Sequence, residues 1–175
     1  SEYYRQIVSE GILAANPMLF AEGVPNAAAA HVSTAFGILG GCQTIIGTRT
    51  SGLDALRLGA ARILSGECER VLVAAAEESE PTVDLAYRSC GLRASEEHTT
   101  LQRDGRGFRN GPGAVAVLIE ASDAARVRGA RRYAAVTGFA ACSASREELP
   151  SAVARVACEL GRPSHVLGSA NGTWL

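Results

Sequence analysis

The stretch Thr44–Glu78, TIIGTRTSGLDALRLGAARILSGECERVLVAAAEE, changes its hydrophobic period twice, and those changes decide the fold. Gln43–Ile46 is a short apolar run that predicts a strand, and a Gly/Thr turn follows it. Thr50 or Ser51 then stands where a helix cap belongs, and Leu53, Leu56, Ala60, Ile63 and Leu64 recur at helical spacing behind it. Gly66 stops the helix. RVLVAAAE, residues 70–77, is apolar on both faces, the pattern of a buried parallel strand. A strand–turn–helix elbow is a natural seat for a nucleophile. The helix N-terminus gathers unpaired N–H groups and about half a positive charge, which lowers a thiol pKa and stabilises an oxyanion. Yet the residue in this turn is Arg49. A guanidinium stays protonated and is repelled by the dipole, so Arg49 is neither a nucleophile nor a general base. It is either a surface arginine in a turn or a cation that needs an acid partner or an anionic ligand.

Working outward, Tyr3–Leu13 predicts an amphipathic helix, and ANPMLF and GVPNA read as punctuated turns. Asn26 is placed to cap a helix through Phe36, which Gly37 ends. Downstream, Pro81–Cys90 predicts a short helix, and residues 94–113, ASEEHTTLQRDGRGFRNGPG, a long polar loop. GAVAVLIE (113–120) predicts a second buried strand and SDAARVRGA (122–130) a short helix. RYAAVTGFAAC (132–142) predicts a strand, residues 145–160 a helix, and SHVLGSA (164–170) a last strand. Apolar strands alternating with helices predict an α/β fold whose largely parallel sheet is covered on both faces.

The 175 residues are 47% hydrophobic and 20% charged with a net charge of −1, which suits a globular domain and gives no electrostatic case for nucleic acid or an anionic membrane. No apolar run approaches membrane-spanning length, and no leader pattern opens the sequence. The five cysteines form no CxxC pair and have no histidine at metal-ligand spacing, so they read as reduced, mostly core thiols of a cytoplasmic protein that needs no cofactor.

Other candidate chemistry is sparse. Thr50 and Ser51 carry hydroxyls but lie outside any G-x-S-x-G pattern, so capping explains them. Cys42, after two glycines, is a small core filler or a reactive thiol. Glu77 and Glu78 end a strand, where carboxylates either face a site or cap a turn. DGRGFRNGPG matches neither the dinucleotide fingerprint nor the P-loop and reads as a turn of close backbone approach. His31, His98 and His165 are isolated and read as packed or solvated.

In order, NPMLF…VPNAAAAHVSTAFGILGG, the elbow with its helix and strand, RDGRGFRNGPGAVAVLIEASDAARVRGARRYAAVTGF and ANGTW resemble the β-ketoacyl synthases of the thiolase-like fold across nearly the whole chain. The resemblance implies one ketosynthase-like segment. Residues 1–95 would be the end of the first half, with its elbow, and 96–175 the loop and the start of the second half. A whole family member is more than twice as long, so the segment reads as incomplete and as needing a partner or further layers to cover its sheet.

The departures from the family pattern bear on function. The elbow cysteine falls on Arg49, the histidine of the HGT motif on Asn171, the acidic residue after the loop glycine on Pro112, and the aspartate of RDG on Arg106. Without a thiolate, acyl transfer has no acceptor, and an asparagine cannot shuttle a proton. The resemblance therefore implies a non-catalytic, chain-length-factor-like subunit of fatty-acid or polyketide assembly. Its partners would be an active ketosynthase or a second copy of itself, and an acyl carrier protein. The positions around such a pocket are Cys42, Thr50, Ser51, Asp54, Glu77, Glu78, Phe108, Gly172 and Thr173, with Arg49 plugging it against Asp54, Glu77 or Glu78. The alternative is an acyl-thioester enzyme (acyltransferase, malonyl decarboxylase or hydrolase) that uses Cys42 or no covalent nucleophile.

Overall fold

The computed structural model describes residues 2–47, 50–93, 107–108, 111–145 and 147–161. The elements are α1 (Glu2–Glu10), a 3-10 turn (Ile12–Ala14), α2 (Pro17–Gly23), α3 (Ala27–Phe36), α4 (Ser51–Leu64), β1 (Arg70–Glu77), α5 (Pro81–Ser89), β2 (Gly113–Glu120), α6 (Ser122–Val127) and α7 (Leu149–Glu159). Internal packing divides the chain into two units, Ser1–Leu58 and Gly59–Leu175, with α4 running through the boundary.

In the first unit, the single helix expected over 3–13 is broken. Gly11 adopts φ +90°, beyond the ordinary range of an L-residue, and its N–H closes α1 on the Ile7 carbonyl. NPMLF, expected as a turn, instead opens α2. Asn16 Oδ1 accepts from the Met18 N–H at 2.9 Å, and Pro17 supplies a preset φ at the first helical position. Tyr3 lies edge-on to Tyr4 and tilted against Phe20, which ties α1 to α2. His31 is not isolated, since its Nε2 lies 3.1 Å from Glu22 Oε2 and links α3 to α2. Helix α3 ends as expected at Gly37, although the Asn26 side chain makes no cap hydrogen bond.

The second unit is built on the β1–β2 ladder. Both strands lie where their composition put them, but they run antiparallel, from Arg70↔Glu120 to Glu77↔Gly113. For this pair of strands, the expectation of a parallel partner is corrected. Two-faced apolar composition reports burial and not direction; direction follows from the connection. The chain leaves β1 at Glu77, forms α5, and re-enters at Gly113, the same end of the ladder, which only an antiparallel partner can do. Helix α4 covers one face at Gly59. A methyl group there would lie 3.1 Å from Ile119 Cδ1 and Val71 Cγ1 and 3.3 Å from Val73 Cγ2. Side chains alternate across a strand, so Leu72, Ala74 and Ala76 face the other way, with Ala114, Ala116 and Leu118 opposite them. On that face Leu118 is 54% exposed, and on the α4 face Val115 and Val117 of β2 are exposed as well, so α4 covers the described sheet only around Val71, Val73 and Ile119. The buried apolar residues among those described are Val73, Ala125 and Ala152.

Residues 43–46 and 132–142, expected as strands, form no ladder among the described residues; 164–170 lies outside them. Their apolar pattern is strand-like, but a strand needs a hydrogen-bonding neighbour, and β1 and β2 pair with each other. The cysteines also depart from expectation. Cys42, Cys90, Cys142 and Cys158 are exposed and Cys68 is intermediate, because they sit in unladdered segments, at a helix end or on an outer helix face.

One ion pair fastens the end of β2 to the turn after α6. Arg128 Nη2 and Nε donate to the Glu120 carboxylate at 2.6 and 2.9 Å, and Glu120 is the register partner of Arg70. The hydrogen bonds from Arg128 hold the Glu120 carboxyl below its ordinary value, against a partial desolvation that opposes them, and Arg128 is raised in turn. A depressed carboxyl contributes stability above its unfolded pKa and loses it as the pH falls through the folded value. Glu120→Gln should therefore flatten the acid limb of a stability-versus-pH curve measured by urea unfolding. An unchanged acid limb would show that the pair contributes nothing to it.

Candidate functional site

The elbow lies in the first unit. The N–H of Asp54 donates to the Thr50 carbonyl at 2.9 Å, which sets the first turn of α4. The Thr50 hydroxyl donates to Asp54 Oδ2 at 3.0 Å, and Arg57 Nη2 lies 3.5 Å from Asp54 Oδ1. A carboxylate in the first turn complements the helix dipole. Asp54 is thus committed to its own helix, and Thr50 serves the helix start, as the sequence indicates. Ser51 opens α4, and its Oγ lies 3.5 Å from where a Cβ on Gly47 would stand, an ordinary van der Waals contact. Cys42 is exposed on the segment before the turn, which corrects its reading as a buried filler. Arg49, Arg106, Asn171, Gly172 and Thr173, with His98 and His165, lie outside the described residues.

A second group gathers at one end of the ladder in the other unit. Glu77 is the register partner of Gly113, so the acidic end of β1 stands beside the Pro112–Gly113 entrance to β2. Both carboxylates, Glu77 and Glu78, are exposed, as is Pro112. Phe108 is half-buried. Its N–H donates to the Leu92 carbonyl at 3.0 Å, and its backbone forms a parallel bridge with Arg93. Its ring meets Tyr87 of α5 edge-on, with centroids 4.8 Å apart and planes at 70°. Arg93 in turn donates to Asp84 Oδ2 at 2.8 Å, and Arg88 Nε donates to the same oxygen at 3.0 Å. Asp84 thus gathers Arg88 and Arg93, and Phe108 meets the same helix through Tyr87.

The sequence singled out Glu77, Glu78, Phe108 and Pro112; the structure adds Asp84, Tyr87, Arg88 and Arg93 as neighbours of Phe108 and of one another. The Asp84–Arg88 pair carries an i,i+4 signal; Arg93 carries none, because it lies past the helix end. Among the described residues no group of three or more His, Cys, Asp or Glu could hold a metal ion, and no helix is long and apolar enough to cross a membrane.

Comparison with known proteins places this geometry. Residues 2–125 match the family model of the β-ketoacyl synthase N-terminal domain. A curated relative from Streptomyces cyaneus, "Putative polyketide beta-ketoacyl synthase 1", is 31% identical over 73% of this chain and 32% of its own length. Nodulation protein E of Rhizobium leguminosarum bv. trifolii is 28% identical over 79% of this chain and 35% of its own length. A β-ketoacyl synthase structure from Burkholderia phymatum STM815 superposes with a TM-score of 0.64 at 20% identity, covering 74% of this chain and 34% of that one. A chain of the AntDE:AntF structure, a type II PKS acyl-carrier protein in complex with its ketosynthase bound to the hexaketide, superposes with a TM-score of 0.55. It is 26% identical over 73% of this chain and 36% of that one. The chain spans about a third of the length of the curated relatives it matches. The fold is thiolase-like, a partial domain of mixed helix and small sheet, and the chain belongs to the β-ketoacyl synthase family.

Proposed function

We propose that this chain is a ketosynthase-like subunit of fatty-acid or polyketide assembly that performs no condensation itself and pairs with an active β-ketoacyl synthase. One observation carries the reading: Arg49 stands in the sequence two residues before Ser51 opens α4, where the family's nucleophilic cysteine would lie. Claisen condensation needs a thiolate to take the acyl group, and a guanidinium offers neither an electron pair nor a proton at working pH. Asn171 for histidine and Pro112 for an acidic residue point the same way, because neither replacement transfers protons. A polyketide β-ketoacyl synthase name among the relatives, and a carrier protein–ketosynthase complex among the structural likenesses, support the pathway and the acyl carrier protein as partner. A guanidinium pairs bidentately with phosphate or carboxylate, so a carrier-borne anion is a fitting ligand for Arg49.

The test is intact-mass spectrometry of the full-length protein, incubated with acyl- and malonyl-thioesters of coenzyme A and of a carrier protein. The expected result is no covalent adduct and no loss of carbon dioxide from the donor. An acyl adduct mapped to Cys42, which is exposed and open to such a reagent, would instead establish the acyl-thioester enzyme.

A further inference from the structure

We propose that Asp84 is a positioning residue: through Arg93 it fixes where Phe108 stands against α5. The proposal rests on reading Phe108 as a wall of the acyl site. Phe108 is the one half-buried aromatic side chain among the described candidate site residues, and it lies five residues before the strand that Glu77 pairs with. Its ring meets Tyr87 of α5 edge-on, and its backbone is held by Leu92 and Arg93. Those backbone partners follow the last turn of α5, past the left-handed Gly91; the Leu92 N–H is held on the Tyr87 carbonyl at 2.9 Å, and Arg93, one residue on, has a side-chain tie of its own. The tie is Asp84, which stands on the first turn of α5 and reaches Arg93, nine residues on. Both side chains are mostly shielded, Arg93 at 21% and Asp84 at 27% exposure, so the pair is less screened than an open surface pair. Arg88 shares the same oxygen but lies within the helix, so it strengthens α5 without touching the Phe108 strap.

This division of labour is testable. The full-length chain would carry 4-fluorophenylalanine at position 108, and octanoyl-pantetheine would be titrated against it. Asp84→Ala and Arg93→Ala should each shift and broaden the fluorine resonance and weaken octanoyl-pantetheine binding about tenfold. Asp84→Glu, which keeps a carboxylate for Arg93, should restore both, and Arg88→Ala should leave both unmoved. A resonance unmoved by Asp84→Ala would overturn the tie. A resonance that moves while affinity stays constant would overturn the functional role of the tie. If the unsubstituted protein does not bind octanoyl-pantetheine, the reading of Phe108 as an acyl wall fails, and the resonance still reports on the tie alone.

Discussion

Gly59→Leu is expected to destabilise the protein by about 3 kcal/mol, as a loss in the urea midpoint of the full-length chain, because it forces a side chain into the seam between α4 and the sheet. The seam is closed at Gly59: even a bare Cβ there would stand 3.1 Å from two methyl groups and 3.3 Å from a third. Two of the three belong to valines, whose branched side chains cannot swing aside without leaving their single preferred rotamer. Leucine would need the helix to lift off Val71, Val73 and Ile119, exposing the described face that α4 covers. Gly59→Ala sets two opposed effects against each other. Alanine favours the helix interior by about 1 kcal/mol, and relieving the contacts costs a comparable amount, so its midpoint should move little. The ordering is what matters. If Gly59→Leu were as mild as Gly59→Ala, α4 would not be held by this contact.

Much of this architecture was legible because it depends on local pattern. The α4 span, its stop at Gly66 and both strands follow from spacing alone, since a 3.6-residue stripe and a two-faced apolar run need no knowledge of their neighbours. What was not legible depends on partners distant in sequence. The direction of β2 is set by where the 78–112 connection returns the chain, and nothing in GAVAVLIE records that. Residues 132–142 have strand composition, yet pairing is a property of two segments. Exposure failed for a similar reason at Cys42 and Cys158: thiols are buried by the element that covers them and not by their own polarity. The α2 start was legible and misread, since an Asn-Pro pair is a helix opening as readily as a turn. In the candidate site, Thr50 and Asp54 are four residues apart on one helix and could be read together. Asp84, Arg93 and Phe108 are joined only by the closing of a long connection, and only the fold assembles them.

Arg49→Cys should create an acyl acceptor without creating a ketosynthase. The new thiol would lie just ahead of α4, where the helix N-terminus favours the thiolate, so intact-mass spectrometry of full-length Arg49→Cys with an acyl-coenzyme A should show one acyl adduct at position 49. Asp54 works against this: its carboxylate, held on Thr50 in the same first turn, raises a nearby thiol pKa and should keep acylation slow. Condensation needs more. The carbanion formed on decarboxylation must be stabilised and protons moved, and Asn171 can only donate a fixed hydrogen bond. Installing histidine in Arg49→Cys/Asn171→His should raise condensation with a malonyl carrier protein by about a hundredfold over the single variant, the lower end of what a positioned acid–base group contributes. Full condensation by Arg49→Cys alone would mean that only the nucleophile had been lost. Activity in the unsubstituted protein would mean that it had never been needed, and the role of Arg49 would have to be sought in catalysis.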